Sequence, residues 1–323
     1  MNPVLEKLPV LILYPHSRCN CRCVMCDIWK TDSIQEISAA DLERHSDDIA
    51  RLEVEWVVFS GGEPLMHSDL FRLCHFLRER KIHTTLLSTG LLIERNADRI
   101  VEYIDDVIVS LDGPPAIHDA IRRVPKAFEH LAAGVAALHR RNRAFQVSAR
   151  STIQLQNCAH LRATVEAARG IGLQSISFLA ADVSSEAFNR PGTWDSDRRN
   201  QVALSLDQIP ILEAEIEALI AAGDSFVLES PEKLRRILTH FRAHVGLERE
   251  VAPRCNAPWV SAVVESSGVV RPCFFHPPIG ALGNGKSLLN VVNGPEAIAF
   301  RTGLDVATNP VCQRCVCSLN WRR

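Results

Sequence analysis

The chain has 323 residues, with 36 Lys plus Arg against 38 Asp plus Glu and a formal net charge of −2. This balance offers no basic face to nucleic acid and no polybasic segment to a membrane surface. No apolar run approaches the roughly 18 residues that a membrane span needs. We therefore expect neither nucleic acid nor a membrane among the partners.

Apolar runs that predict strands alternate with longer amphipathic stretches that predict helices. The predicted strands lie at 9–14, 54–60, 83–89, 106–111, 145–150 and 174–180. The predicted helices lie at 39–51, 69–80, 97–103, 127–142, 158–170, 207–222 and 231–245, and a polar loop over the site or linker is predicted at 184–200. Six such units indicate an α/β fold whose parallel sheet is either open or curled into a partial barrel.

Distinctive polar and glycine-rich segments follow these strands, each at the point where a strand ends. They are the cysteine loop at 19–26, Ser60–Pro64, Ser88–Gly90, Ser110–Gly113, Arg150 and Asp182. Because the carboxyl ends of parallel strands meet at one edge, where such folds place their chemistry, we expect one shared site. In the fifth strand, Gln146, Ser148 and Arg150 alternate with apolar residues, which predicts a polar inner face.

Four of the eleven cysteines lie within eight residues of the N-terminal region, and Cys19, Cys23 and Cys26 form a C-x3-C-x2-C motif. Without an export signal, clustered cysteines indicate metal or redox chemistry in the cytoplasm. Thiolates select zinc, copper(I) or iron–sulfur centres, and zinc usually requires a second ligand pair nearby, which the adjacent sequence lacks. Three thiolates can hold three irons of a cubane cluster and leave the fourth iron open. The motif therefore favours an iron–sulfur cluster with one iron not bound by cysteine over a zinc site.

From residue 251 onward the composition shifts to Cys, Pro and Gly, and five further cysteines lie between 255 and 317. A module of this size and composition needs a metal to stabilise it. We predict two domains, a core at 1–245 and a small cysteine-rich domain at 246–323.

The N-terminal motifs resemble the radical S-adenosylmethionine (radical SAM) superfamily, whose fold is a partial (β/α)6 parallel barrel. The resemblance implies that Cys19, Cys23 and Cys26 bind a [4Fe–4S] cluster and that Cys21 is a bystander. Ser88–Gly90 and Ser110–Gly113, followed by His118, Asp119 and Arg122, resemble the third and fourth strand ends of that family's peptide- and sugar-modifying branch. The resemblance implies that S-adenosylmethionine contacts fall on Met25, Gly61, Gly62, Glu63, Pro64, Ser88, Ser110, Asp112 and Arg150.

The C-terminal spacing Cys255-x12-Gly268-x4-Cys273 resembles the SPASM/Twitch domains that hold auxiliary iron–sulfur clusters. The shorter Twitch form, with one auxiliary [4Fe–4S] cluster, implies the ligands Cys255, Cys273, Cys312 and Cys315, with Cys317 as an alternative to Cys315. A zinc site remains the alternative, because two distant cysteines and a C-x2-C pair can also complete a tetrahedron.

These resemblances imply a radical SAM oxidoreductase that forms a 5′-deoxyadenosyl radical and removes a hydrogen atom from its substrate. The expected reaction is a two-electron oxidation of a small sugar- or cyclitol-like molecule. Epimerisation and modification of a ribosomally made peptide or protein side chain remain open, as does a non-catalytic iron–sulfur electron carrier. A reductase such as a flavodoxin or ferredoxin is the expected protein partner.

Overall fold

The computed structural model describes residues 1–190, 192 and 194–322; Pro191, Thr193 and Arg323 lie outside the described residues. All six strands predicted for the core form, and three more come from the C-terminal region. The strands are β1 Val10–Leu13, β2 Trp56–Phe59, β3 His83–Ser88, β4 Asp106–Ser110, β5 Gln146–Ile153, β6 Ile176–Ala180, β7 Ser261–Val264, β8 Val269–Arg271 and β9 Gly280–Ala281.

Helices follow the strands, as the amphipathic stretches predict. They are α1 Ala39–Glu43, α2 Ser46–Arg51, α3 Leu70–Glu79, α4 Ile93–Tyr103, α5 Pro115–Arg122, α6 Ala127–Arg141, α7 Leu161–Gly170, α8 Ser196–Asn200, α9 Ile209–Ala222, α10 Pro231–His244, α11 Ala257–Val260, α12 Leu288–Val292, α13 Pro295–Gly303 and α14 Pro310–Gln313. Short 3-10 helices lie at Ile28–Lys30, Pro64–Met66 and Leu206–Gln208. Within the described residues, no helix combines the length and apolarity that crossing a membrane requires.

The helix predictions differ from the structure at several places, since α8 and α11 to α14 lie outside the predicted helices. Two differences fall in the first half of the chain. The predicted helix at 39–51 is two helices, because His45 leaves helical geometry at φ −105° and ψ 12° between them. Helix α5 was not predicted at all, although it begins with a proline in its first turn, a position that the fixed φ of proline suits.

One sheet contains all nine described strands, in the order β6-β5-β4-β3-β2-β1-β7-β8-β9. Strands β1 to β6 are parallel to their neighbours, which confirms the predicted α/β fold with its partial parallel barrel. Strand β7, from the cysteine-rich region, pairs in parallel with β1, and β8 and β9 continue antiparallel. The sheet thus contains strands from both sides of the predicted domain boundary at 245/246. The division into two domains stays a prediction.

The two faces of the sheet have different partners, because successive side chains of a strand point to opposite sides. Leu11 and Leu13 of β1 join the large core beneath the helices. Val10 and Ile12 belong to a smaller inner cluster, against which the C-terminal tail packs with Trp321. The ring of Trp321 lies 5.8 Å from that of Trp56, so the tail packs against this inner face of the sheet.

Candidate functional site

The cysteine loop follows β1 at the carboxyl edge of the sheet, where the sequence predicts the site. Cys23 is buried, and Cys19 and Cys26 are partly buried. The Cys26 amide donates to the Cys23 carbonyl oxygen at 3.4 Å. Burial raises the pKa of the Cys26 thiol to about 12, and negative charge on Cys23 and Cys19 acts in the same direction. The three predicted ligands are therefore close enough to affect one another electrostatically.

Cys21 is the most deeply buried thiol of the loop and lies between two of the predicted ligands. Hydrogen bonds to Cys19 and Cys23, together with burial, raise its pKa. The hydrogen bond from Cys21, followed by the charge of Arg122, lowers the pKa of Cys23 to about 6 against the effect of burial. That Cys21 is a bystander stays a prediction.

The Gly61–Pro64 segment packs directly against the start of the cysteine loop. The Glu63 amide donates to the Arg18 carbonyl oxygen at 2.9 Å. A Cβ atom on Gly62 would lie 2.0 Å from that same oxygen, so only glycine allows this approach. Gly61, with φ +92°, carries its backbone against the ring of Tyr14. The two glycines are therefore required by close backbone packing beneath the loop.

The Glu63 carboxylate is fully buried and links the ends of β2 and β3. It accepts hydrogen bonds from the Ser88 hydroxyl at 3.0 Å, from the Thr89 amide and hydroxyl at 2.7 Å each, and from the Leu65 amide at 3.1 Å. Burial raises the pKa of Glu63, and the hydrogen bonds from Thr89 oppose that rise. Two of the residues predicted to contact a cofactor, Glu63 and Ser88, thus form a hydrogen bond with each other. Their contact with a cofactor stays a prediction.

Asp112, at the end of β4, contacts Arg122 instead of facing a cavity. The Arg122 Nη2 atom lies 2.6 Å from Asp112 Oδ2, and both side chains are buried. The Thr152 amide also donates to Asp112, at 2.8 Å. Arg122 Nη1 lies 3.5 Å from the Cys23 sulfur. The segment Ser110–Gly113 therefore supports the cysteine loop through α5, a role that the sequence motif alone does not reveal.

The described residues of the segment 182–198 (182–190, 192 and 194–198), which we call the strap, lie against the other side of the cysteine loop. Arg190 pairs with Asp182 at 2.7 Å and donates to the Met25 carbonyl oxygen at 3.0 Å. The Trp194 indole donates to the Asp27 carboxylate at 2.7 Å. These contacts agree with the predicted polar loop over the site. Sequence reasoning missed Arg190 and Trp194 as loop contacts, and no motif marks them.

The remaining predicted cofactor contacts lie around the same edge. Met25 packs against an apolar cluster that includes Trp194. Pro64 is buried at the start of a 3-10 helix. Ser110 is paired in register with Arg150 across β4 and β5. The Arg150 Nε atom donates to the Ser177 hydroxyl at 3.4 Å. Burial raises the pKa of the Cys317 thiol, and the positive charge of Arg150 opposes that rise.

The C-terminal cysteines form a second group. Burial raises the pKa of Cys273 to about 12, with Cys255 and Cys312 adding to the rise. Burial also raises the pKa of Cys315, with charge on Cys317 next in effect. The Cys315 thiol donates to the Cys317 carbonyl oxygen at 2.6 Å. The charges of these cysteines thus act on one another, while their joint binding of one cluster and the choice between Cys315 and Cys317 stay predictions.

A cavity of about 1090 Å³ is lined by residues that flank the N-terminal cysteine loop and by Cys315 of the second group. Its wall includes Tyr14 and Asp27 beside the N-terminal loop, Arg190 of the strap, and Phe274 and Cys315 of the C-terminal region. Tyr14 stacks on Phe274 with ring centroids 6.1 Å apart. The cavity therefore places one bound molecule within reach of both groups.

The donor chemistry of both groups fits iron–sulfur clusters. Thiolates in sets of three and four are the ligands that such clusters use. Beside the N-terminal loop, the buried Asn20 Nδ2 and Arg122 Nε atoms have no hydrogen-bond partner among the described residues. Cluster sulfides and the carboxylate of S-adenosylmethionine are acceptors of the kind these donors lack. Within residues 1–190, 192 and 194–322, no three His, Cys, Asp or Glu side chains are close enough to share a single metal ion.

Comparison with known families finds two matches along the chain. The model of the radical SAM superfamily matches residues 13–166, and that of an iron–sulfur cluster-binding domain, SPASM, matches residues 255–316. Together the two matches include every cysteine of the two groups except Cys317.

Similar proteins fall into different functional classes. Pre-heme d1 synthase of Dinoroseobacter shibae is 37% identical over 157 residues, which cover 47% of this chain and 38% of that protein. The antilisterial bacteriocin subtilosin biosynthesis protein AlbA of Bacillus subtilis is 21% identical over 83% of this chain and 55% of that protein. The chain thus spans about half or less of the length of these curated relatives.

The fold is also similar to solved structures. SuiB of Streptococcus suis, in a crystal structure with its precursor peptide SuiA, has a TM-score of 0.66 and 16% identity; the match covers 97% of this chain and 72% of that chain. At this identity the similarity concerns the fold alone.

We predict that Gly62→Ala destabilises the protein, because the added Cβ meets a backbone oxygen that cannot move freely. The expected loss is about 1–3 kcal/mol of unfolding free energy, the usual cost of overpacking, measured by urea denaturation. Gly170→Ala is the matched control, because a Cβ there meets nothing within 4 Å, and we expect no loss of stability. Equal stability of the two variants would contradict the close packing beneath the loop.

Proposed function

Because the chain belongs to the radical SAM superfamily and carries a C-terminal iron–sulfur cluster-binding domain, we propose that it oxidises a substrate bound between its two cysteine groups. The family assignment confirms the predicted cofactor classes, S-adenosylmethionine and iron–sulfur clusters. The observation that carries the proposal is one cavity whose lining includes both Asp27, the residue after Cys26, and Cys315. An auxiliary cluster held by the C-terminal cysteines would accept an electron from a substrate bound in this cavity.

The residues that would hold the cofactors are those that the sequence indicates. Cys19, Cys23 and Cys26 would bind the radical-SAM cluster, and Cys255, Cys273 and Cys312 with Cys315 or Cys317 would bind the auxiliary one. When bound, the first cluster and S-adenosylmethionine supply a 5′-deoxyadenosyl radical that removes a hydrogen atom from substrate. A cysteine set without an open position suits electron transfer, which favours oxidation over epimerisation.

The chain's own residues hold and shield the cavity. Arg190 and Trp194 of the strap fix the backbone and the Asp27 side chain of the loop, and Tyr14 and Phe274 form an apolar wall. Excluding water in this way protects a reactive substrate from side reactions. Arg150, whose charge acts on the Cys317 thiol, is proposed to bind a carboxylate, because a guanidinium can do so with two hydrogen bonds.

The cavity favours a peptide over a single sugar ring as the substrate. Its volume of about 1090 Å³ lies just above the usual range for ligand pockets, about 300–1,000 Å³. Two proteins whose similarity extends over most of this chain are AlbA, a bacteriocin biosynthesis protein, and SuiB, which was solved with a precursor peptide. The expected small sugar- or cyclitol-like substrate remains the alternative proposal.

The charges of the cavity argue against a polyanionic substrate such as a tetrapyrrole with several carboxylates. Among the described residues, four Lys or Arg side chains line the cavity, and each lies within 4.0 Å of a carboxylate of the chain. The pairs are Lys30–Asp27 at 3.0 Å, Arg190–Asp182 at 2.7 Å, Arg271–Glu265 at 2.5 Å and Arg314–Glu250 at 4.0 Å. A polyanion would have to compete with these partners. The similarity to pre-heme d1 synthase covers less than half of this chain and of that protein, so it does not decide the substrate.

Anaerobically reconstituted protein should form 5′-deoxyadenosine from S-adenosylmethionine and dithionite, as measured by liquid chromatography and mass spectrometry. Cys23→Ala should reduce this product to the background of the reagents, because one of three thiolate ligands is lost. Cys74→Ala, a buried thiol outside both groups, is the control and should retain product formation. A fully loaded wild-type protein that forms no 5′-deoxyadenosine would contradict the enzymatic proposal.

Iron analysis tests the auxiliary site separately. We expect about eight iron atoms per chain in the wild type and about four in the double variant Cys312→Ala/Cys315→Ala, because each [4Fe–4S] cluster contributes four. The double variant should still cleave S-adenosylmethionine. An unchanged iron content would overturn the assignment of the C-terminal ligands.

The substrate class is tested by asking which molecules accelerate 5′-deoxyadenosine formation. A pool of synthetic peptides of mixed sequence should increase the rate, since the cavity accommodates a peptide, and a pool of aminocyclitols and amino sugars should not. Stimulation by the second pool alone would overturn the peptide assignment and favour the sugar alternative. A flavodoxin or ferredoxin as reductant and a cytoplasmic location stay predictions.

A further inference from the structure

The guanidinium of Arg122 is buried beneath the cysteine loop, at the last residue of α5. Its Nη2 atom lies 2.6 Å from Asp112 Oδ2, and its Nη1 atom lies 3.5 Å from the Cys23 sulfur. Arg122 is only 6% exposed and Asp112 is fully buried. A buried charge is costly unless it is paired, so the ion pair with Asp112 is what allows a cation at this position.

The backbone holds this cation at a fixed place relative to the loop. The Arg22 amide donates to the Arg122 carbonyl oxygen at 3.1 Å, and the Val24 amide donates to the Ile121 carbonyl oxygen at 3.1 Å. These two bonds join the end of α5 to both sides of Cys23. The guanidinium therefore stays beside the Cys23 sulfur.

A second arginine that contacts the loop acts on backbone atoms instead. Arg198 donates to the Val24 carbonyl oxygen at 2.6 Å and lies 3.5 Å from the Asp27 carboxylate. No hydrogen bond joins Arg198 to a cysteine sulfur among the described residues. Arg122 and Arg198 thus provide a matched pair in which one cation contacts a predicted ligand sulfur and the other does not.

We infer that Arg122, held by Asp112, is a positioning residue that raises the reduction potential of the cluster that Cys19, Cys23 and Cys26 would bind. This inference rests on the proposed function. Hydrogen bonds to the sulfur ligands and nearby charge are the means by which proteins set iron–sulfur potentials. A donor and a positive charge at Cys23 stabilise the reduced cluster, which carries one more electron. Asp112 limits this effect by partly neutralising the cation.

The test is a potentiometric titration of the reconstituted holoprotein, followed by electron paramagnetic resonance. The signal that changes on addition of S-adenosylmethionine identifies the N-terminal cluster. In Arg122→Gln we expect the ratio of reduced to oxidised cluster at a fixed potential to fall about tenfold. For a one-electron couple this corresponds to a fall of about 59 mV in the reduction potential. Arg122→Lys, which keeps the positive charge, should have a ratio of reduced to oxidised cluster close to that of the wild type. Arg198→Gln should have the wild-type ratio.

Asp112→Asn gives a signature that a merely structural role would not produce. Asparagine keeps an acceptor for the Thr152 amide but removes the counter-charge, so the ratio of reduced to oxidised cluster should rise. If Arg122→Gln binds its full iron with an unchanged potential, the inference is overturned. If Arg122→Gln lacks the N-terminal cluster, the potential of Asp112→Asn is the deciding measurement, and an unchanged or lower ratio of reduced to oxidised cluster overturns the inference. A wild type that binds no N-terminal cluster would instead overturn the proposed function.

Discussion

The buried ion pair between Asp112 and Arg122 is the interaction on which the arrangement of the site depends. It joins the end of β4, the end of α5 and the underside of the cysteine loop, three segments that are far apart along the chain. A guanidinium buried without its carboxylate would be strongly destabilising, so the two residues hold each other in place. The position of the Cys23 sulfur follows from this pairing.

The polar residues at the strand ends first hold the edge of the sheet together. Glu63 satisfies its buried oxygens with Ser88 and Thr89, and Gly62 lets the chain approach the Arg18 carbonyl. A buried carboxylate needs such partners, because leaving it unpaired costs more than the hydrogen bonds return. The cavity wall is consequently built in large part from the strap and the C-terminal region, and these segments are where substrate contacts are to be sought.

The C-terminal region is joined to the core through the sheet. Strand β7 pairs with β1, and the Tyr14 amide donates to the Val264 carbonyl oxygen at 2.9 Å. This pairing places the residue after β1 beside the residue after β7, although about 250 positions separate them in sequence. The second cysteine group therefore reaches the same cavity as the first, which is the geometric basis for proposing oxidation.

The sequence by itself determined the six core strands, their parallel order and the two cysteine groups, because alternation of apolar runs and ligand spacing are local signals. It also indicated that Glu63, Ser88 and Asp112 lie at one edge. Only the tertiary structure decided what those side chains contact: Glu63 meets Ser88, Asp112 meets Arg122, and Arg190 reaches the Met25 carbonyl. The physical reason is that a buried charge pairs with a group that the folded chain places beside it. Such pairs join segments that are distant in sequence, so no local spacing pattern predicts them.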